Sequence, residues 1–238
     1  MNELVFVADV HLVEDDPETD SFVRFLRSLP GRAECCVIVG DLFNVWIARR
    51  RFTTPSQARL LRILREVSEA GVRFKYVEGN RDYFVSETWQ GNLFDEVAAT
   101  SLRERIGSSY LLVSHGDLVN LSDRQYRAWR RFSRSSAIRA LLNLLSSRRG
   151  QKLAVALEKR LRGTNQRHKQ SLPEIHLERY AREAFSSGHQ AVVLGHFHQE
   201  VCRSFDEGTL WILPDWKSGH RYLSFSCDGA GRFVSFPS

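Results

Sequence analysis

Leu4-Val5-Phe6-Val7-Ala8-Asp9-Val10-His11 opens as an apolar run and ends on a carboxylate and an imidazole two residues apart. A short apolar run of this kind predicts a buried strand. Cys35–Val39 repeats the pattern and is followed by Gly40-Asp41, and Val72–Val77 repeats it again before Gly79-Asn80-Arg81-Asp82. Between these runs the period changes. Phe22, Phe25, Leu26 and Leu29 share one helical face, as do Leu60, Leu61, Leu64 and Val67 within Ala58–Ala70, which Gly71 closes. Strand–helix–strand order at this spacing predicts parallel βαβ units and an α/β fold.

Two later runs behave alike. Tyr110–Val113 leads to His115-Gly116-Asp117, and Ala191–Leu194 leads to Gly195-His196-Phe197-His198. Loops beyond the carboxyl ends of strands in an open α/β sheet converge on one crevice. Carboxylate, imidazole and amide oxygen gathered there suit divalent ions such as Mn²⁺, Mg²⁺, Zn²⁺ or Fe²⁺. One histidine alone reads as a core residue, and one Gly-Asp as a turn. Five clusters in succession, each after a strand, read together as a metal centre.

The chain has 238 residues, room for one large α/β domain with an insertion. Its net charge of +6 is unevenly spread. From Arg124 to Lys169, fourteen Lys or Arg face the single acid Glu158, so that stretch carries +13 and the remainder −7. Such asymmetry calls for an anionic partner: phosphates, acidic lipid or nucleic acid. The four cysteines form no C-x-x-C pair, and Cys35-Cys36 sits in an apolar run, so a reducing, cytoplasmic compartment is expected. No secretory leader or membrane span is read in the chain.

Residues 121–186 have a helical texture and are expected to form a basic insertion within a single domain spanning 1–238. Leucines 141, 144, 153 and 157 are its expected contacts with the core, and Ser146-Ser147 and Gly150 its expected breaks. A merely solvated basic face is the bland reading. A lid or a membrane-facing surface accounts better for the charge excess, because basic amphipathic helices lie on anionic bilayers. No glycine-aromatic RNA motif is present, so nucleic acid is not expected as a partner.

With these motifs the chain resembles the calcineurin-like metallophosphoesterases, and among them the UDP-2,3-diacylglucosamine hydrolase branch. The branch likeness rests on Leu42-Phe43 and Trp46-Ile47, Arg81 inside the Gly-Asn-x-Asp motif, Asp123 and Tyr126, and the helical insertion. The resemblance implies a two-sheet α/β sandwich with a helical lid. It implies two divalent ions, most often Mn²⁺: one held by Asp9, His11, Asp41 and His198, the other by Asp41, Asn80, His115 and His196. Arg81, Asn80 and His115 would serve catalysis, and Arg81, Asp123, Tyr126, Asn165 and Lys169 would meet the substrate. The activity implied is cleavage of the pyrophosphate of UDP-2,3-diacylglucosamine to lipid X and UMP, by a peripheral enzyme on the cytoplasmic face of the inner membrane.

Some residues depart from the branch. Arg49-Arg50-Arg51 stands where acids are usual, and Phe197 and Gln199-Glu200 alter the last histidine motif. The rival readings are a metallophosphoesterase of other specificity, a phosphodiesterase or nucleotide phosphatase, and a membrane- or RNA-binding protein with a degenerate site. Arg81 favours an anhydride: arginine stays charged and cannot protonate a leaving alkoxide, whereas a departing phosphate needs no proton. The bland reading of Arg81 is a surface residue paired with Asp82. Removing the insertion is expected to spare small p-nitrophenyl esters while erasing preference for a lipid-linked substrate.

Overall fold

Alternation along the first two strands sets the layering. The computed structural model describes residues 3–161 and 172–237. In chain order its elements are β1 (Glu3–Val7), α1 (Glu18–Arg27), β2 (Ala33–Ile38), β3 (Trp46–Ile47), a 3-10 turn (Arg50–Phe52), α2 (Pro55–Glu69), β4 (Arg73–Val77), β5 (Asp82–Tyr83) and α3 (Val85–Trp89). There follow β6 (Glu96–Ala98), β7 (Ser101–Ile106), β8 (Ser109–Ser114), α4 (Arg124–Ser133), α5 (Ser136–Leu144), α6 (Ser147–Leu161) and α7 (Glu174–Ser186). The chain ends in β9 (Ala191–Leu194), β10 (Val201–Ser204), β11 (Thr209–Ile212), β12 (Arg221–Phe225) and β13 (Gly231–Ser235).

Among the described residues, one sheet has the order β13-β12-β1-β2-β4-β6, a second the order β10-β11-β9-β8-β7, and β3 pairs with β5 in a short ribbon. The pairs β1–β2, β2–β4, β8–β9 and β9–β11 are parallel. Val5, Val7, Cys36 and Ile38 turn outward onto Phe22, Phe25, Leu26, Leu60 and Leu64 of α1 and α2. Phe6, Cys35 and Val37 turn inward and meet Leu111, Val113 and Val193 of the second sheet. The outer face of that sheet, through Val192 and Leu194, receives Leu177, Ala181 and Phe185 of α7. The result is the expected sandwich, with helices outside both sheets.

α2 begins earlier than its apolar period suggests. Thr54 and Gln57 form a reciprocal capping box and Pro55 opens the helix, so the first turn is fixed by hydrogen bonds to otherwise orphaned backbone amides. Trp216, to which the sequence gives no role beyond packing, fills the core with Phe22 and Phe25 at ring-centroid distances of 5.1 and 4.8 Å.

The helical stretch expected over 121–186 divides in two. α7 is a layer of the sandwich, whereas α5 and α6 sit on the β3–β5 ribbon. There Leu142, with Ile138, Leu145, Leu153 and Leu157, covers Val45, Ile47, Phe52, Tyr83 and Phe84. Leu141 and Leu144, expected as core contacts, are instead 54% and 83% exposed, on the opposite side of α5. Gly150 does not break the helix. It lies inside α6 because any side chain there would strike the Phe52 ring, 2.1 Å from an ideal Cβ. The Arg49-Arg50-Arg51 departure helps fasten this layer. Arg51 Nη2 donates to the Leu142 carbonyl at 2.7 Å, while Arg49 and Arg139 both reach Glu87, at 2.8 and 3.4 Å.

Candidate metal centre

Asp9, Asp41 and Asn80 follow β1, β2 and β4 of the first sheet, and His115, His196 and His198 follow β8 and β9 of the second. Each lies just past the carboxyl end of a parallel strand, where the ladder stops and the backbone is free to turn. The turns are unusually tight. Asp9, His11, Asp41, His196 and His198 all have left-handed backbone, with φ between 51 and 71°. That conformation costs a non-glycine residue roughly 1–2 kcal/mol, and such strain persists only where the surroundings over-determine it.

The determining contacts are hydrogen bonds between the loops. Asp9 N donates to the Gly40 carbonyl at 3.2 Å, His11 N to the Asp41 carbonyl at 2.9 Å, and His196 N to Asp9 Oδ2 at 2.7 Å. Arg81 N donates to Asp41 Oδ1 at 2.9 Å. Asp82 is the buckle of its loop: one oxygen accepts from Asp41 N, Gly79 N and the Tyr76 hydroxyl, at 2.9, 2.8 and 2.9 Å. Burial and the neighbouring Asp41 carboxylate push the Asp82 pKa up to about 7. Asp82 is therefore not a surface partner of Arg81, and Arg81 is itself buried at 1% exposure. Its Nη1 donates to the backbone and side-chain oxygens of Asn44, both at 3.2 Å, and its Nε lies 3.7 Å from Asp41 Oδ2.

These loops bring donor atoms into two adjoining groups. In the first, His11 Nε2 lies 3.3 Å from His198 Nε2, 3.6 Å from Asp9 Oδ1 and 3.9 Å from Asp41 Oδ2, and His198 Nε2 lies 3.4 Å from Asp9 Oδ1. In the second, Asn80 Oδ1 lies 3.0 Å from His115 Nε2 and 3.1 Å from His196 Nδ1, and His115 Nε2 lies 3.8 Å from Asp41 Oδ2. Asp41 is common to both. Donors bonded at about 2.0–2.2 Å to one ion stand about this far apart. Asp9 Oδ1 is buried and accepts no hydrogen bond from any described residue, a costly state for a carboxylate oxygen without a cation. The residues present fit two divalent ions.

Surrounding groups aim the donors. His115 Nδ1 donates to the Val39 carbonyl at 2.9 Å, which turns the Nε2 lone pair toward Asn80 and Asp41. His198 Nδ1 faces Asp215 Oδ2 at 3.7 Å. Burial opposes charge on His198, but Asp9 and Asp215 outweigh it and push its pKa up to about 10. Burial and neighbouring His115 push His196 down to about 4. Burial would raise Asp9, yet His198, His11 and His115 hold it well below the usual carboxylate range. Oppositely shifted neighbours are what a concentrated ligand set produces.

The residues expected at the substrate fall differently. Asp123 caps α4, its carboxylate accepting from Tyr126 N at 2.9 Å. The Tyr126 hydroxyl donates to Asp117, which also pairs with Arg130 of α4. Asn165 and Lys169 lie outside the described residues. Sequence reading gave no role to Asn44, Arg130 or Asp215, and placed Asp117 only as a member of the His115-Gly116-Asp117 cluster. Asp215 carried a usable signal, since it follows an apolar strand just as the ligands do.

Two comparisons bear on this arrangement. No protein-family model matches the chain. It is 26% identical to a UDP-2,3-diacylglucosamine hydrolase of Haemophilus influenzae, with 98% of each chain covered. It is 26% identical to one of Neisseria meningitidis, covering 97% of this chain and 96% of that protein. In three dimensions it resembles an archaeal phosphodiesterase at a TM-score of 0.52 and 11% identity, covering 98% of this chain and 99% of that one. It also resembles vacuolar protein sorting 29 of Cryptosporidium parvum at 0.51 and 10%, covering 100% and 98%. The chain thus shares its fold with an archaeal phosphodiesterase and with vacuolar protein sorting 29, and is similar along nearly its whole length to proteins named UDP-2,3-diacylglucosamine hydrolase.

Proposed function

We propose that the protein hydrolyses the pyrophosphate of UDP-2,3-diacylglucosamine to lipid X and UMP, using two divalent ions, with Mn²⁺ the first choice. The observation that carries this reading is the shared carboxylate of Asp41 between two donor groups, in a chain similar over its full length to hydrolases of that name. Asp9, His11, Asp41 and His198 would hold one ion, and Asp41, Asn80, His115 and His196 the other. Two such ions supply Lewis acidity to the attacked phosphoryl group.

The chain's own residues do the remainder. Val39 and Asp215 keep His115 and His198 turned toward the ions. Arg81, beside Asp41, provides a permanent cation for the phosphate oxygens and no proton. None is needed, because either departing phosphate has a second pKa of about 6.

The lipid reading has its own support. A cleft of about 370 Å³ runs between α6 and the segment that follows His11, lined by Leu12, Val13, Phe43, Val45, Ala154 and Val155. Its apolar lining comes from the core and from the smaller residues of α6, while Leu142, Leu145, Leu153 and Leu157 of the insertion pack against the ribbon. An acyl chain in it would gain roughly 0.8 kcal/mol per buried CH₂. Trp129 and Phe132, 45% and 58% exposed with ring centroids 6.1 Å apart, lie beside exposed Arg127 and Arg131. That combination suits the headgroup layer of an anionic bilayer. Among the described residues no helix is long and apolar enough to cross a membrane, so attachment would be peripheral.

Hydrolysis of UDP-2,3-diacylglucosamine beside bis-p-nitrophenyl phosphate, with and without added Mn²⁺ after chelation, tests the reading. Release of UMP with clear preference for the lipid-linked substrate is expected. Preference for the diester, with no UMP, would assign a different phosphoesterase activity.

A further inference from the structure

By sequence alone the basic insertion is a cover, separable from the chemistry beneath it. Two of its arginines point the other way. Arg130 of α4 is 5% exposed. Its Nη1 pairs with Asp117 Oδ2 at 2.5 Å and donates to the Gly79 carbonyl at 3.3 Å, and its Nη2 donates to the Ala99 carbonyl at 2.6 Å. Arg134, just past α4, sends Nη2 to the carbonyls of Gly79 and Asp82, both at 2.7 Å, with its guanidinium 4.9 Å from the Tyr83 ring centre. Gly79 and Asp82 bracket Asn80, and Asp117 stands two residues beyond His115. Asn80 and His115 are two donors of the second group.

We propose that Arg130 and Arg134 are positioning residues for the second metal site: the insertion is part of the scaffold that holds Asn80 and His115, and not a detachable lid. In the Asn80 loop the Arg81 carbonyl is taken by Trp46 N at 2.9 Å, but that of Gly79 receives only a long bond of 3.4 Å from Asp82 N, so the Gly79 and Asp82 carbonyls take their short bonds from the insertion. A buried carbonyl left without a donor costs free energy, and here each donor is a guanidinium whose planar fork spans more than one oxygen. The first group, Asp9, His11 and His198, has no contact with either arginine among those described. Damage should therefore be selective.

This inference rests on the two-ion reading. Its test is Mn²⁺ binding by equilibrium dialysis and calorimetry on the full chain, for the wild type and for Arg130→Met and Arg134→Met, with circular dichroism to verify folding. Wild type should bind two equivalents; fewer would refute the two-ion reading itself. Each variant should keep one equivalent near wild-type affinity and bind the other roughly 10–100-fold more weakly, the usual cost of losing an outer partner of a ligand. Should Arg130→Met not fold, Arg130→Lys, which keeps the charge and loses the fork, gives the same readout. On bis-p-nitrophenyl phosphate, kcat should fall and recover at high Mn²⁺. Variants that bind two equivalents at wild-type affinity would overturn the proposal, as would equal weakening of both sites. Removing the insertion should then cost activity on small esters as well, contrary to the expectation from sequence alone.

Discussion

Gly79→Ala is a one-methyl probe of the centre. An ideal Cβ at Gly79 lies 2.1 Å from Asp41 Oδ1 and 2.8 Å from Asp41 N, where ordinary contact begins at 3.4 Å. The carboxylate must retreat by about 1.3 Å, the difference of those limits, or the Asn80 loop must lift by as much. Neither moves freely. Asp41 Oδ1 accepts from Arg81 N, and Gly79 N is bonded to Asp82. Displacement of a reacting constellation by about 1 Å costs on the order of 10²-fold in rate. Overpacking a tight site also costs roughly 1–3 kcal/mol of stability, or about 2–4 °C in Tm per kcal/mol at this size. The assay is kcat on bis-p-nitrophenyl phosphate at saturating Mn²⁺, with metal content and Tm on the same sample. Gly150→Ala is the comparison: its clash is with the Phe52 ring, so it should lower Tm without removing an ion. A Gly79→Ala protein with undiminished kcat and two bound ions would refute the role given to Asp41.

Other substitutions separate the remaining roles. Asp41→Ala should abolish turnover and release metal, since one carboxylate faces both donor groups; metal analysis checks it. Arg81→Ala should leave metal content nearly intact but lower kcat on the anhydride by about 10²–10³, the usual worth of an oriented charge contact; loss of metal instead would make Arg81 structural. Trp129→Ala with Phe132→Ala should weaken sedimentation with vesicles containing phosphatidylglycerol while leaving kcat on the soluble diester unchanged. Undiminished vesicle binding would remove that face from consideration.

What the sequence disclosed, it disclosed through strands. Asp9, Asp41, Asn80, His115 and His196 are legible because each ends an apolar run, and the chain direction then delivers them to one edge. The capping box at Thr54 is equally legible, as Thr54 with Gln57 three residues on. The insertion was not legible in the same way. Arg130 and Arg134 have the same composition as exposed Arg127 and Arg131, and only the neighbouring carbonyls distinguish them. Leu141 and Leu142 are adjacent, and the ribbon they face, or do not face, is two residues long per strand, too short to leave a period. Asp215 stands three residues past Ile212, behind Leu213-Pro214, and although it follows a strand it lacks the adjacent glycine that marks Asp41, Asn80, His115 and His196.

The donors come from both layers of the sandwich: Asp9, His11, Asp41 and Asn80 from one sheet, His115, His196 and His198 from the other. Either ion would then act as a clip between the sheets, closing a span of 187 residues from His11 to His198 in the first group and one of 35 from Asn80 to His115 in the second. Closing a long loop gains the most from a clip, because the open chain has more freedom to lose. The ions would thus guard the sandwich against opening at one end, and chelation should be felt there first. Amide exchange should accelerate in the ends of β1, β2, β8 and β9 nearest the donors, while the α1–α2 face keeps its protection. Assembly would follow the same geometry in reverse, with full metal affinity arriving only after the sheets have docked.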